Sequence, residues 1–335
     1  MLNSAVVRGE NLRFTEDGVR ELLRSIVLPL WNAYSFFVTY ANVDGWSPGD
    51  LERPTAASRR NLLDRWILSS QQRLIRLVTE AMETYELQRA VEPIVRFVDD
   101  LTNWYIRRSR RRFWKSDDDE DKRQAYETLY AVLVDTCHVL APFTPFIADA
   151  MYRNLTSPLR QKNSSVPDSV HLRDWPEYRA PEEDEDLDER MDLVIRAVSM
   201  GRALRKTHGL KVRQPLRAIH FVTRDARARQ TLDEMSEQIR DELNVKSVRF
   251  DDRESELVDC VVKANFKTLG PRLGKDVQKV AKAIPRIPLD EVLAIESGKT
   301  YTLQVESLQV VLQPEDVVVE RREKPGLFAE CSGSL

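Results

Sequence analysis

The sequence predicts a mainly α protein: an antiparallel helical bundle over residues 1–208, followed by a smaller α+β domain over 210–335. Apolar residues recur every three to four positions through most of the chain up to His208. Glycine is sparse, 11 of 335 residues, which argues against a Gly-rich all-β chain. Beyond residue 210 the apolar period shortens and β-branched residues gather between turn residues.

The first helix spans 15–40. Thr15 can cap it, and Glu16 and Asp17 suit the positive end of the helix dipole. Pro29 predicts a kink or break near Leu28. Residues 41–57, with Gly45, Pro48, Gly49 and Pro54, read as a loop. Amphipathic helices follow at 58–84, 86–112 and 122–140. Thr144 as cap and Pro145 at the first helical position open a helix over 145–155. Four prolines mark 156–181 as loop, and a helix over 186–208 ends at Gly209. Strands are then expected at 216–223, 245–250 and 257–263, with a helix over 227–244. A helix over 275–284, a short helical turn at 288–295 and strands at 300–305, 308–312 and 317–320 complete the second domain. The glycines of 270–275 read as the turn before the helix at 275. Nothing near Leu335 caps or completes a domain, so the second domain reads as truncated.

The net charge of −3 and pI near 6.0 exclude a uniformly basic nucleic-acid binder, so any such surface is a local patch. Cys137, Cys260 and Cys331 form no CxxC pair, which points to a reducing compartment. No apolar run is long enough for a membrane span and no signal peptide opens the chain, so a cytoplasmic location is expected. His138, His171, His208 and His220 lack metal-ligand spacing, and no P-loop, GxGxxG or GxSxG motif occurs. Neither a metal site nor a catalytic residue is expected.

Two basic stretches carry chemistry. Residues 107–115 hold six positive charges beside Trp104, Tyr105, Phe113 and Trp114. Cations neutralise phosphates and aromatics stack on exposed bases, so this composition suits RNA. A uniform helical phase turns Arg108 and Arg112 toward the bundle, to pair with acids, and turns Arg107, Arg110 and Arg111 outward. The second stretch, residues 201–217, carries Arg202, Arg205, Lys206, Lys211, Arg213 and Arg217 and no acid. It follows 181–192, where eight of twelve residues are acidic. The residues expected to touch RNA are Arg107, Arg110, Arg111, Trp114, Lys115, Lys206, Lys211 and Arg213. The bland alternatives are a solvated helix end and a salt-bridged helix terminus that the acid run folds back to neutralise.

Several blocks resemble the isoleucyl-tRNA synthetase family downstream of its catalytic core. They are residues 3–14 (NSAVVRGENLRF), 63–69 (LDRWILS), 103–114 (NWYIRRSRRRFW), 140–148 (LAPFTPFIA), 210–216 (LKVRQPL) and 265–275 (NFKTLGPRLGK). The block at 140–148 is shared with the valine and leucine enzymes, and it carries Phe146 where relatives often have His, a change read as packing. No HIGH-type or KMSKS motif occurs. The resemblance therefore implies an anticodon-binding portion, itself non-catalytic, with the catalytic and editing parts upstream in the parent chain. It implies isoleucine tRNA, through its anticodon stem-loop, as partner. It implies no cofactor here, and ATP and magnesium for the parent enzyme. The alternatives are the same module of the valine or leucine enzyme, or a helical scaffold that binds protein.

Overall fold

A computed structural model describes residues 15–48, 60–114, 120–223, 225–251, 258–296, 298–305 and 308–323. The block at 3–14, Lys115, the acids at 117–119, Cys331 and the chain end lie outside these residues. The chain divides into two compact units at Glu189/Arg190. The division falls inside a helix whose far end, at Gly209, is where the sequence pattern changes.

The first unit is helical. It comprises α1 (Glu16–Leu22), α2 (Leu28–Asp44), α3 (Leu62–Glu83), α4 (Leu87–Asp99), α5 (Arg107–Trp114), α6 (Glu120–Leu140), α7 (Pro145–Leu155), α8 (Ser157–Lys162) and the start of α9 (Glu185–Thr207). Thr15 caps α1, its hydroxyl accepting from the Gly18 amide at 3.2 Å. The helix does not break at Pro29; a π-helical stretch over Leu23–Val27 lies directly upstream. Proline has no N–H for the preceding turn, and a wider turn accommodates the loss without ending the helix. The helix continues to Asp44, past the expected loop boundary, and ends on left-handed Gly45. α7 has the expected bounds, but Thr144 is not its side-chain cap; its hydroxyl donates back to the Leu140 carbonyl at 3.4 Å. Phe146 is not packing either: it is 90% exposed.

α3 packs on α4 and α6, and α6 also packs on α2, α5 and α7. Trp66, Ile67, Val78, Phe97, Leu101, Leu129 and Leu133 fill the centre, all essentially without solvent contact. An aromatic cluster joins α2, α5 and α6: Phe113 meets Phe36 and Tyr126 edge-on at 5.1 and 4.9 Å, and Trp46 stacks on Tyr126 at 5.5 Å. Such pairs add about 0.5–1.5 kcal/mol beyond their buried area, so Phe113 anchors the arginine-bearing helix.

The second unit begins within α9. β1 (Ile219–Val222), α10 (Ala226–Glu234), α11 (Ser236–Leu243) and β2 (Val248–Asp251) form a βαβ unit with a parallel strand pair, Ile219 opposite Val248. The single helix expected over 227–244 is two, meeting at Met235. Around a separate core of Val262, Leu269, Val280, Ile284, Val292, Leu303 and Leu312 stand β3 (Val258–Ala264), α12 (Phe266–Leu273), α13 (Val277–Ala283), α14 (Leu289–Glu296), β4 (Tyr301–Val305), β5 (Leu308–Leu312) and β6 (Val317–Glu323). β4 and β5 form a hairpin, while β6 returns to pair antiparallel with β3. The expected turn before residue 275 is mostly helix: α12 contains both Gly270 and Pro271, and only Gly274, at positive φ, makes the turn.

Candidate nucleic-acid interface

α4, a π-helical stretch over Asp100–Ile106 and α5 run on as one helix. The wide turns accommodate extra chain, so the buried phase slips by about one residue against uniform counting. Ser109, Arg112 and Phe113 face inward, where uniform counting expects Arg108 and Arg112. Arg110 and Arg111 are exposed, as expected, and neither makes an ion pair among the described residues. Arg107 and Arg108 do not divide as expected. Both are half-buried, each guanidinium 6.0 Å from the Trp104 ring centre, and Arg107 Nε donates to the Asn103 carbonyl at 2.7 Å. Trp114 is 56% exposed, but its indole N–H donates to the Tyr40 hydroxyl at 2.7 Å, which fixes the ring.

Arg112 sets this geometry. Its two terminal nitrogens donate to the two oxygens of Asp64, both at 2.7 Å. Its Nε lies 2.9 Å from Asp121 Oδ1, and Nη2 also donates to the Asp121 carbonyl. Tyr105 donates to Asp64 Oδ1 at 2.7 Å. Asp64 and Tyr105 have no solvent exposure. Burial works against the Arg112 charge, but the Asp64 hydrogen bonds and the neighbouring negative groups outweigh it and hold the guanidinium above its ordinary pKa. Burial, with the Asp64 charge, pushes the Tyr105 phenol well up. Composition does not point to Asp64, yet its position does: 64, 67, 71, 74 and 78 form one buried stripe of α3, and a charge on such a stripe requires a partner.

The second basic stretch is built on another buried arginine. Arg205 is 4% exposed. Its Nη1 donates to the Lys211 and Gln214 carbonyls, both at 3.0 Å, and its Nη2 to those of Leu243 and Asn244 at 2.5 and 3.2 Å. Asn244, left-handed at the end of α11, donates to the Val212 and Arg213 carbonyls at 3.0 and 3.1 Å. Four carbonyls of the 211–214 turn are thus drawn inward, and the Lys211, Val212 and Arg213 side chains are exposed. Burial depresses the Arg205 pKa. Arg202 pairs with Glu242, so it and Arg205 are structural. Gly201 lies beside them: a Cβ there would fall 2.6 Å from Leu243 Cδ1, so a larger residue would require the Leu243 side chain to shift.

Lys206, Lys211 and Arg213 make no ion pair among the described residues. The acid run has other partners in its own unit: Glu183 pairs with Arg76 at 2.7 Å, Asp184 with Arg65 at 3.1 Å and Asp188 with Arg73 at 3.6 Å, all on α3. Those pairs hold the segment before α9 against α3. Sequence reasoning misses Asp64, Tyr40, Asn244 and the structural role of Arg205, because each acts through a distant part of the chain.

Among the described residues no group of His, Cys, Asp or Glu is placed to hold a metal, and no helix is long and apolar enough to cross a membrane. Two sets of exposed cations, each held by a buried arginine, can engage phosphates. Residues 64–220, which contain both sets, match the family described as the anticodon-binding domain of tRNA ligase. The match is confined to that stretch, about 47% of the chain. Over its whole length the chain is also similar to isoleucine–tRNA ligases: 42% identical over 344 residues to that of Treponema denticola, 41% over 336 residues to that of Protochlamydia amoebophila and 39% over 335 residues to that of Chlamydia trachomatis. In each case all of this chain and 31% of the relative is covered. The chain spans about a third of the length of the curated relatives it matches.

Proposed function

We propose that this chain binds the anticodon stem-loop of isoleucine tRNA, as the recognition portion of an enzyme that joins isoleucine to that tRNA with ATP and magnesium. The observation that carries the reading is the family match over 64–220, which includes the arginine helix and the 211–214 turn. The isoleucine relatives favour isoleucine over valine or leucine, and RNA over a protein-binding scaffold. Arg110, Arg111, Lys211 and Arg213 neutralise phosphates, Arg107 adds charge beside Trp104, and the fixed Trp114 ring offers a face to a splayed base. Lys206 extends the second basic set, and Lys115, outside the described residues, follows the first in the sequence. The chemistry belongs to the part of the enzyme that this chain does not span, and the expected setting is the cytoplasm. Titrating the chain with isoleucine, valine and leucine tRNAs tests the reading. Isoleucine tRNA should bind most tightly, with affinity falling as salt rises. Equal binding of all three, or none, overturns it, as does isoleucine-dependent pyrophosphate exchange by the chain alone for its non-catalytic part.

A further inference from the structure

The chain carries a net negative charge, yet residues 263–286 contain seven lysines and arginines and one acid, Asp276. This segment lies outside the stretch that matches the anticodon-binding family. Four of these cations fall in helical register. Lys275, Lys279, Lys282 and Arg286 follow one another at spacings of four, three and four residues through the helical turn before α13, α13 itself and the turn after it. At about 100° per residue in α13 and about 120° in the 3-10 turns at its two ends, they stay on one broad face. The opposite stripe is apolar: Val280 and Ile284 have no solvent exposure and Ile287 is buried, all in the core of the second unit. The cations are exposed. Lys279 pairs with Asp276 at 3.8 Å, while Lys275, Lys282 and Arg286 make no ion pair among the described residues.

Like charges at i,i+3 and i,i+4 repel and weaken a helix. Four in succession on one outer face, only Lys279 of them paired with an acid, are a standing cost that a polyanion would remove. We infer that the Lys275–Lys279–Lys282–Arg286 stripe is a second RNA-contacting surface, one that engages the phosphate backbone of structured RNA without reading its sequence. A membrane surface fits less well, because a helix lying on lipid turns an apolar face outward, and here the apolar face is used by the core and the stripe bears no large apolar residue. The inference rests on the reading of this chain as a tRNA-binding protein, but on different residues and a different kind of contact.

The test compares the 335-residue chain with its K275Q/K282Q/R286Q variant across a salt series, using isoleucine tRNA and the same tRNA with its anticodon exchanged. The variant should bind both RNAs more weakly by the same factor. Its log–log salt slope should be shallower by up to about three units, one for each phosphate no longer neutralised. Unchanged affinity and slope overturn the inference, and so does a weakening confined to the isoleucine anticodon. Abolished binding to phosphatidylserine vesicles with tRNA binding unchanged assigns the stripe to lipid and also overturns it. If the triple variant melts early, K275R/K282R/R286K must keep the parent slope and K282Q alone must lower it by about one unit. A parent chain that does not distinguish the two anticodons counts against the anticodon reading and leaves the effect of the triple variant fully readable.

Discussion

The arginine helix and the 211–214 turn solve one problem in two ways. Each presents exposed cations, and each is held by a single buried arginine. In α5 the buried Arg112 meets a carboxylate, Asp64, and its charge is matched. In the turn the buried Arg205 meets only backbone carbonyls, and no carboxylate faces it among its hydrogen-bond partners. The first arrangement ties two helices of one bundle together through charge. The second sets the shape of a loop. A buried arginine is therefore not a failed binding residue; it decides where its neighbours point.

The sharpest way to break the comparison is to remove Asp64. Asp64→Ala leaves the buried Arg112 with Asp121 alone, having lost its bidentate partner, and should destabilise the helical unit by up to about 3–5 kcal/mol, read as a lower urea midpoint. A destabilisation below about 1 kcal/mol would mean that Arg112 escapes to solvent and that the pair does not hold α5. Arg205→Met should act less strongly and more locally. Net contributions of about 1.5–3 kcal/mol accompany hydrogen bonds to charged groups, and amide exchange should rise first around 211–214 and 243–244. Equal exchange throughout the chain would remove the contrast between the two anchors. The smallest effect on stability belongs to the exposed cations. R110Q/R111Q and K211Q/R213Q should each stay within about 0.5 kcal/mol of the parent while flattening the salt dependence of tRNA binding by up to about two units. A variant that binds like the parent at every salt concentration would show that its set of cations is structural.

Much of the fold was legible in the sequence. The bounds of α7, the stop at Gly209 and the inward turn of Arg112 follow from local signals: a proline that suits a first turn, a glycine that suits a left-handed cap, and a helical period. The failures have equally specific causes. Arg107 and Arg108 were separated by a period that assumes regular α-helix, and the π-helical stretch at 100–106 changes it. Helix α12 was hidden because Gly270 and Pro271 normally argue for a turn, yet its N-terminus is fixed by Asn265, whose side chain accepts from the Lys267 amide, and Leu269 is buried in the core. Arg205 counted as one cation among six, since nothing local distinguishes an arginine bonded to carbonyls nearly forty residues away. Which cations are exposed needed the tertiary structure; that the stretches were basic did not.

The widened turns at Asp100–Ile106 bear on how this helix tolerates changes in length. A π-helical turn stores residues that an α-helix of the same span would not need. Deleting one residue there can be absorbed by tightening a turn, with the Phe113 and Arg112 anchors kept in their sites and the outer cations still facing solvent. The same deletion within α5 would rotate Arg110 and Arg111 by about 100° against those anchors. A one-residue deletion is therefore compatible with the arginine face within Asp100–Ile106 and disruptive beyond Ile106.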